Sequence, residues 1–192
     1  MTKLPPILQS FWNHRALVWQ MTRREVIGRY RGSVLGIVWS FLTPLLMLAI
    51  YTFVFSFVLK ARWGAETGSK TEFALFLFAG LIVHGLFAEC VVRAPSLILS
   101  NPNYVKKVVF PLEMLPWVSM GSVLIHSLLS VIVLLTGYAW IYGGINWTVV
   151  FLPLILAPLI VFTMGVSWFL ASLGTYVRDI GQLVNIAVTV LL

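Results

Sequence analysis

Long apolar runs separated by short polar stretches set the pattern of this chain. The runs cover residues 32–59, 73–92, 114–142, 147–176 and 180–192. A helix crosses about 30 Å of hydrocarbon with about 20 mostly apolar residues, so the first four runs each predict a membrane-spanning helix. The first is bracketed by Arg31 before it and by Lys60 and Arg62 after it. Glu89 is the one charge inside the second. Residues 180–192 give only about 20 Å of helix. The expectation is therefore a fifth span cut short, in a chain that is part of a longer protein. Pro44, Pro153 and Pro158 fall inside runs and are expected to kink them, with neighbouring helices satisfying the freed carbonyls.

Ahead of the first run, residues 7–31 read as a helix with two faces. At 100° per residue, Leu8, Phe11, Trp12, Trp19, Val26 and Tyr30 gather on one side and Asn13, Gln20, Arg24 and Arg31 on the other. Arg15 and Thr22 interrupt the apolar stripe. Aromatic rings opposite arginines suit a helix lying in the membrane plane. The fold class predicted is an all-α membrane protein, an amphipathic interface helix followed by transmembrane helices.

Composition agrees and narrows the function. Of 192 residues 60% are hydrophobic and only 10% charged, against about a quarter charged in an ordinary soluble domain. After Pro111 only Glu113, Arg178 and Asp179 carry charge. So few charges cannot cover the core of a water-soluble fold, which excludes a soluble enzyme, a nucleic-acid-binding domain and a disordered chain. The net charge of +7 then acts as an orientation signal. Lys3, Arg15, Arg23, Arg24, Arg29 and Arg31 precede the first span, Arg93, Lys106 and Lys107 lie between the second and third, and Arg178 precedes the fifth. The other side has Lys60, Arg62 and Lys70 in one loop and none in 143–146. Basic loops stay in the cytoplasm, so the N-terminus is expected there. Trp39 and Trp117 fit an inner aromatic belt, and Trp63, Trp140, Tyr142 and Trp147 an outer one.

Candidate chemistry is sparse. Cys90 is the only cysteine, and His14, His84 and His126 share no metal-ligand spacing, so neither a disulfide nor a metal site is expected. Charge within a span is a functional hypothesis. Glu89 and Arg93 stand four apart in the favourable acid-first order, near the cytoplasmic boundary, where an interfacial ion pair is the simplest reading. Arg23, Arg24, Arg29 and Arg31 could receive an anionic lipid-linked substrate, or simply set topology against anionic headgroups. In the first span Phe41, Tyr51 and Phe55 share one face. That face could line a path suited to a glycan, a subunit contact or ordinary packing.

The loop between the second and third spans, residues 94–116, is punctuated by Pro95, Pro102, Pro111 and Pro116. Asn101-Pro102 is a helix-start signal, and a short basic helix is predicted there, stopped before Pro111. Such an element suits docking onto a cytoplasmic partner.

Here a family resemblance appears. The run YVKKVVFPLEMLP closely resembles the cytoplasmic loop of bacterial ABC exporter permeases for cell-surface polysaccharides, including O-antigen, capsule and teichoic-acid exporters. The blocks RREVIGRYRGSVLGIVWSFLTPLLMLAIYTFVFSFV (23–58) and LGTYVRDIGQLV (173–184) are similar to the same family. The O-antigen type looks closest. The resemblance implies one permease domain over 1–192 and six spans in the whole protein. It also implies a homodimer in the bacterial cytoplasmic (inner) membrane, served by two copies of a cytoplasmic ABC ATPase. ATP and Mg would sit on that partner, with no cofactor on this chain. Asn101 to Phe110 would be the coupling helix, with Tyr104, Lys106 and Lys107 as contacts, and Pro111 and Glu113 would set the start of the third span. The substrate would be a lipid-linked polysaccharide passed between protomers, with spans one and five lining its channel. No bond chemistry is expected here. Two alternatives stand beside this reading. A membrane-embedded enzyme on lipid-linked sugars would need an acid or histidine cluster, and the outer loops offer only Glu66 and Glu72. A secondary carrier would need acids deeper in its spans.

Overall fold

The computed structural model describes residues 6–54, 70–102 and 111–191. Among the described residues every regular element is helical. The α-helices are α1 (Pro6–Arg29), α2 (Trp39–Phe53), α3 (Lys70–Arg93), α4 (Leu115–Tyr142), α5 (Leu152–Tyr176) and α6 (Ile180–Val190). Short 3-10 turns precede or follow them at Gly36–Val38, Ala94–Ser96, Leu112–Met114 and Trp147–Phe151. Three stretches are long and apolar enough to cross a membrane: Ala74–Ser96, Leu112–Tyr142 and Trp147–Tyr176. Helices α2 and α6 are shorter apolar segments.

The punctuation explains the boundaries. Gly32 (φ 91°) and Gly36 (φ 53°) adopt left-handed backbone, which favours glycine. They separate α1 from α2, so α-helix resumes at Trp39 rather than at residue 32. Pro95 lacks an N–H and cannot continue α3; the Ser96 hydroxyl donates to the Arg93 carbonyl at 3.0 Å. Gly143 (φ 76°) closes α4, its N–H donating to the Ala139 carbonyl at 2.9 Å. Pro153 sits in the first turn of α5, where its missing donor costs nothing, so no kink is required there. Pro44 and Pro158 lie inside α2 and α5.

The chain divides into two compact units. The first comprises residues 1–29, 87–124 and 154–192. One core within it gathers Val91, Ala94, Leu170 and Val188, with Phe87, Val166 and Val184 against them. A second joins Val18 of α1 to Met114 and Val118, flanked by Phe11, Met21 and Trp117. At Gly174 of α5 the two backbones touch: a Cβ added there would lie 2.6 Å from Cα of Pro95. The second unit comprises residues 30–86 and 125–153. In it Gly137 of α4 lies against Leu48 and Leu75, and Tyr30 meets His126 edge-on at 5.7 Å between ring centroids.

Polarity runs opposite to that of a soluble protein. On α5, Leu154 and Val161 are 71% and 72% exposed, while Thr163 and Ser167 are buried. Ser119 and Ser122 are buried on α4. Large aliphatic groups facing outward with small polar residues inside is how helices pack in lipid.

The buried face of α1 departs from the predicted stripe. Val18, Thr22 and Val26 are buried, whereas Trp12 and Trp19 are 63% and 62% exposed. Arg15 does not break the outer face; its guanidinium stacks 5.0 Å above the Trp12 ring.

Candidate functional site

The charged groups of the first unit converge on α1. Two acid-first pairs occur in the sequence, Glu25-x3-Arg29 on α1 and Glu89-x3-Arg93 on α3. Each places an acid and a base about 6 Å apart along its helix. In the structure they pair crosswise. Arg29 donates to Glu89, and Arg93 donates to Glu25. Arg93 also reaches Glu89 on its own helix at 3.5 Å. Residue numbers rise along α1 as they fall along α3, so α1 and the end of α3 meet antiparallel. The four side chains are about one quarter to one third exposed. A single exposed ion pair contributes little; four alternating charges hold a register, because any slip sets like charges against each other.

A second fastening lies nearer the start of α1. The Ser10 hydroxyl donates to Glu113 Oε1 at 2.7 Å. Trp168 Nε1 of α5 donates to the Glu113 carbonyl at 3.1 Å. Phe11, Trp117 and Trp168 form an aromatic chain above it, with centroids 4.4 Å and 5.5 Å apart. Glu113 occupies the 3-10 turn that opens α4, where a carboxylate also meets the positive end of the helix dipole. Pro111 is extended (ψ 102°), and its carbonyl accepts from Met114 N–H at 2.9 Å. Between the two fastenings the Thr22 hydroxyl points at the Val118 carbonyl at 3.5 Å. Gly121 makes room, since a Cβ there would lie 2.9 Å from Thr22 Oγ1.

Helix α1 is therefore tied to both feet of the loop 94–113. One foot is the Arg93 end of α3, the other Glu113. The turn that follows α3 is itself braced: Asn101 Nδ2 donates to the Leu97 carbonyl at 2.8 Å and to Ser100 Oγ at 3.3 Å. Asn101, Leu97 and Leu115 face Met21, Arg24 and Glu25 across a cavity of about 180 Å³.

Of the residues singled out in the sequence, Asn101, Pro111 and Glu113 sit at the loop's feet, and Tyr104, Lys106, Lys107 and Phe110 lie outside the described residues. Arg23, Arg24 and Arg31 are exposed. Arg29 is engaged with Glu89, so it serves first as a fastening. Phe41 is exposed and Tyr51 half-buried on α2, and Phe55 lies outside the described residues. The Glu89–Arg93 pair has the expected geometry. Its partners Glu25 and Arg29, together with Ser10 and Trp168, were not anticipated. The repeated E-x3-R spacing is the signal that could have found the first two. Among the described residues no group of three His, Cys, Asp or Glu side chains could hold a metal ion.

Comparison with known proteins is consistent with this layout. The family model described as ABC-2 type transporter matches residues 16–192. The O-antigen export system permease protein RfbA of Myxococcus xanthus is 29% identical over 181 residues, covering 93% of this chain and 66% of that protein. A protein of the same description from Klebsiella pneumoniae is 28% identical over 171 residues, covering 88% of this chain and 62% of its own length. The chain thus spans 62–66% of the length of these curated relatives. A match running from midway along α1 through both loop feet and every later helix shows that this chain belongs to the ABC-2 type transporter family of membrane permeases.

Proposed function

We propose that this chain is the transmembrane subunit of an ATP-driven exporter that carries a lipid-linked cell-surface polysaccharide of O-antigen type across the bacterial cytoplasmic membrane. The observation that carries the proposal is the family match over residues 16–192, joined to relatives described as O-antigen export permeases. The tying of α1 to both feet of one loop supports a mechanical role for that loop.

In this reading the N-terminus is cytoplasmic, α1 is the interface helix and residues 1–192 form one permease domain. The apolar runs 32–59, 73–92, 114–142 and 147–176 each supply one span, the first through α2, and are followed by the start of a fifth. Two permease copies face each other, and two ATPase subunits bind ATP and Mg below them. Residues 101–110 are the coupling segment, with Tyr104, Lys106 and Lys107 against the ATPase and Phe110 and Pro111 passing its motion to Glu113. Closure of the ATPase pair shifts the loop, and α1 shifts with it through Glu113 and the Glu25–Arg93 and Arg29–Glu89 pairs. ATP need only favour one of two arrangements of the protomers. Arg23, Arg24 and Arg31 receive the anionic lipid-linked end of the substrate, while Phe41, Tyr51 and Phe55 contribute to the channel wall.

The test is Lys106→Glu with Lys107→Glu in the full-length protein. Loss of ATPase co-purification with normal membrane insertion is expected; undiminished co-purification would overturn the coupling role.

A further inference from the structure

A cavity of about 260 Å³ lies in the second unit between α3, the last turns of α4 and the segment after it. Its wall is built from Leu75 and Ala79 of α3 and Leu135 of α4, and its polar atoms are few. The polar side chains of its lining are those of Tyr138, Tyr142, Asn146 and Thr148. The Tyr138 and Tyr142 rings stand 4.6 Å apart, and Asn146 Nδ2 donates to Tyr138 Oη at 3.2 Å. Trp140 and Trp147 nearby are 89% and 75% exposed. Exposed tryptophans on either side of the turn after α4 mark the height of the lipid–water boundary. The polar end therefore sits at the headgroup level and the aliphatic end in hydrocarbon. From Leu135 to Tyr142 the cavity follows α4 for about 10 Å, within the roughly 15 Å of one leaflet.

Cavity walls made only of aliphatic and aromatic carbon stay dry and accept apolar guests, and the end of this cavity at Leu75, Ala79 and Leu135 is such a wall. A sugar ring placed against Leu75, Ala79 and Leu135 would lose hydrogen bonds to water and gain none. We propose that the cavity seats one acyl chain of a membrane phospholipid, its glycerol end against Asn146 and the two tyrosines and its methylenes against Leu75, Ala79 and Leu135. The site requires only that α3 and α4 cross a membrane, and stands whether or not the chain exports a polysaccharide.

The experiment places the full-length protein in nanodiscs of phosphatidylethanolamine and phosphatidylglycerol. A small fraction of the phosphatidylethanolamine carries a diazirine midway along one acyl chain. After irradiation, label per residue is read by peptide mass spectrometry. The proposal expects labelling concentrated at Ala79 and Leu135, above that of the lipid-facing Leu154 and Ile155 of α5. Ala79→Phe displaces about two methylenes and lowers the labelling at Leu135 about tenfold, leaving α5 unchanged. If that variant folds poorly, Leu135→Trp fills the site from the opposite wall and is read at Ala79. Uniform labelling along the lipid-facing helices overturns the proposal. So does labelling at Leu135 that survives Ala79→Phe, or a Leu135→Cys variant that cross-links to a second copy of the chain.

Discussion

Replacing Gly174 by alanine tests the packing that holds the loop's first foot. The added Cβ would fall 2.6 Å from Cα of Pro95, well inside van der Waals contact. The three nearest atoms all belong to the Pro95 backbone, so no side chain can swing away; α5 or the turn Ala94–Ser96 must shift. Both are anchored in the same core, through Leu170 on α5 and Ala94 in the turn. Overpacking of this kind costs about 1–3 kcal/mol, and the rigid backbone places this site at the upper end. In a chain of this length that lowers the melting temperature by roughly 5–10 °C. Gly165, on the same helix, supplies the control. A Cβ there meets nothing within 4 Å, and alanine in a helix interior is favoured over glycine by about 0.5–1 kcal/mol. The two substitutions are chemically identical and should move stability in opposite directions. Thermal unfolding of the purified protein in one detergent, followed by fluorescence-detected size exclusion, reads both. A Gly174→Ala protein as stable as Gly165→Ala would refute the close backbone contact and the bracing of the loop built on it.

Two further outcomes follow from α1. Arg29→Met and Glu89→Gln, alone and combined, should show a coupling of about 0.5–1 kcal/mol in melting experiments, the modest value befitting groups about one third exposed; it should shrink in 1 M salt, where screening acts within about 3 Å, and strictly additive effects would remove the cross-pair. Gly121→Ala should destabilise by about 1–2 kcal/mol against Thr22 but much less in a Thr22→Ala background, and equal losses in both backgrounds would place the clash elsewhere.

Much of the helical layout was legible because hydrophobic length is a direct requirement of the bilayer. The limits of α3, α4 and α5 fall within a few residues of the apolar runs 73–92, 114–142 and 147–176. Helix α2 does not start where the first apolar run begins. Gly32 and Gly36 have left-handed backbone, and it is this that interrupts the helix. On α1 periodicity found an apolar side but could not say whether lipid or protein would cover it. Large aromatic rings turned outward, and the small side chain of Thr22, read as a flaw in the stripe, became the point of closest approach because Gly121 stands opposite. Glu89 and Arg93 were visible as a local pair. Their cross-pairing with Arg29 and Glu25 depends on an antiparallel crossing that sequence spacing alone does not encode.

The fastening of α1 to both feet of the loop also has an engineering consequence. Because Ser10 holds Glu113 while Glu25 and Arg29 hold the end of α3, one rigid helix spans the separation of the feet. Helix α1 thus acts as a gauge for the distance that any segment joining the two feet has to reach.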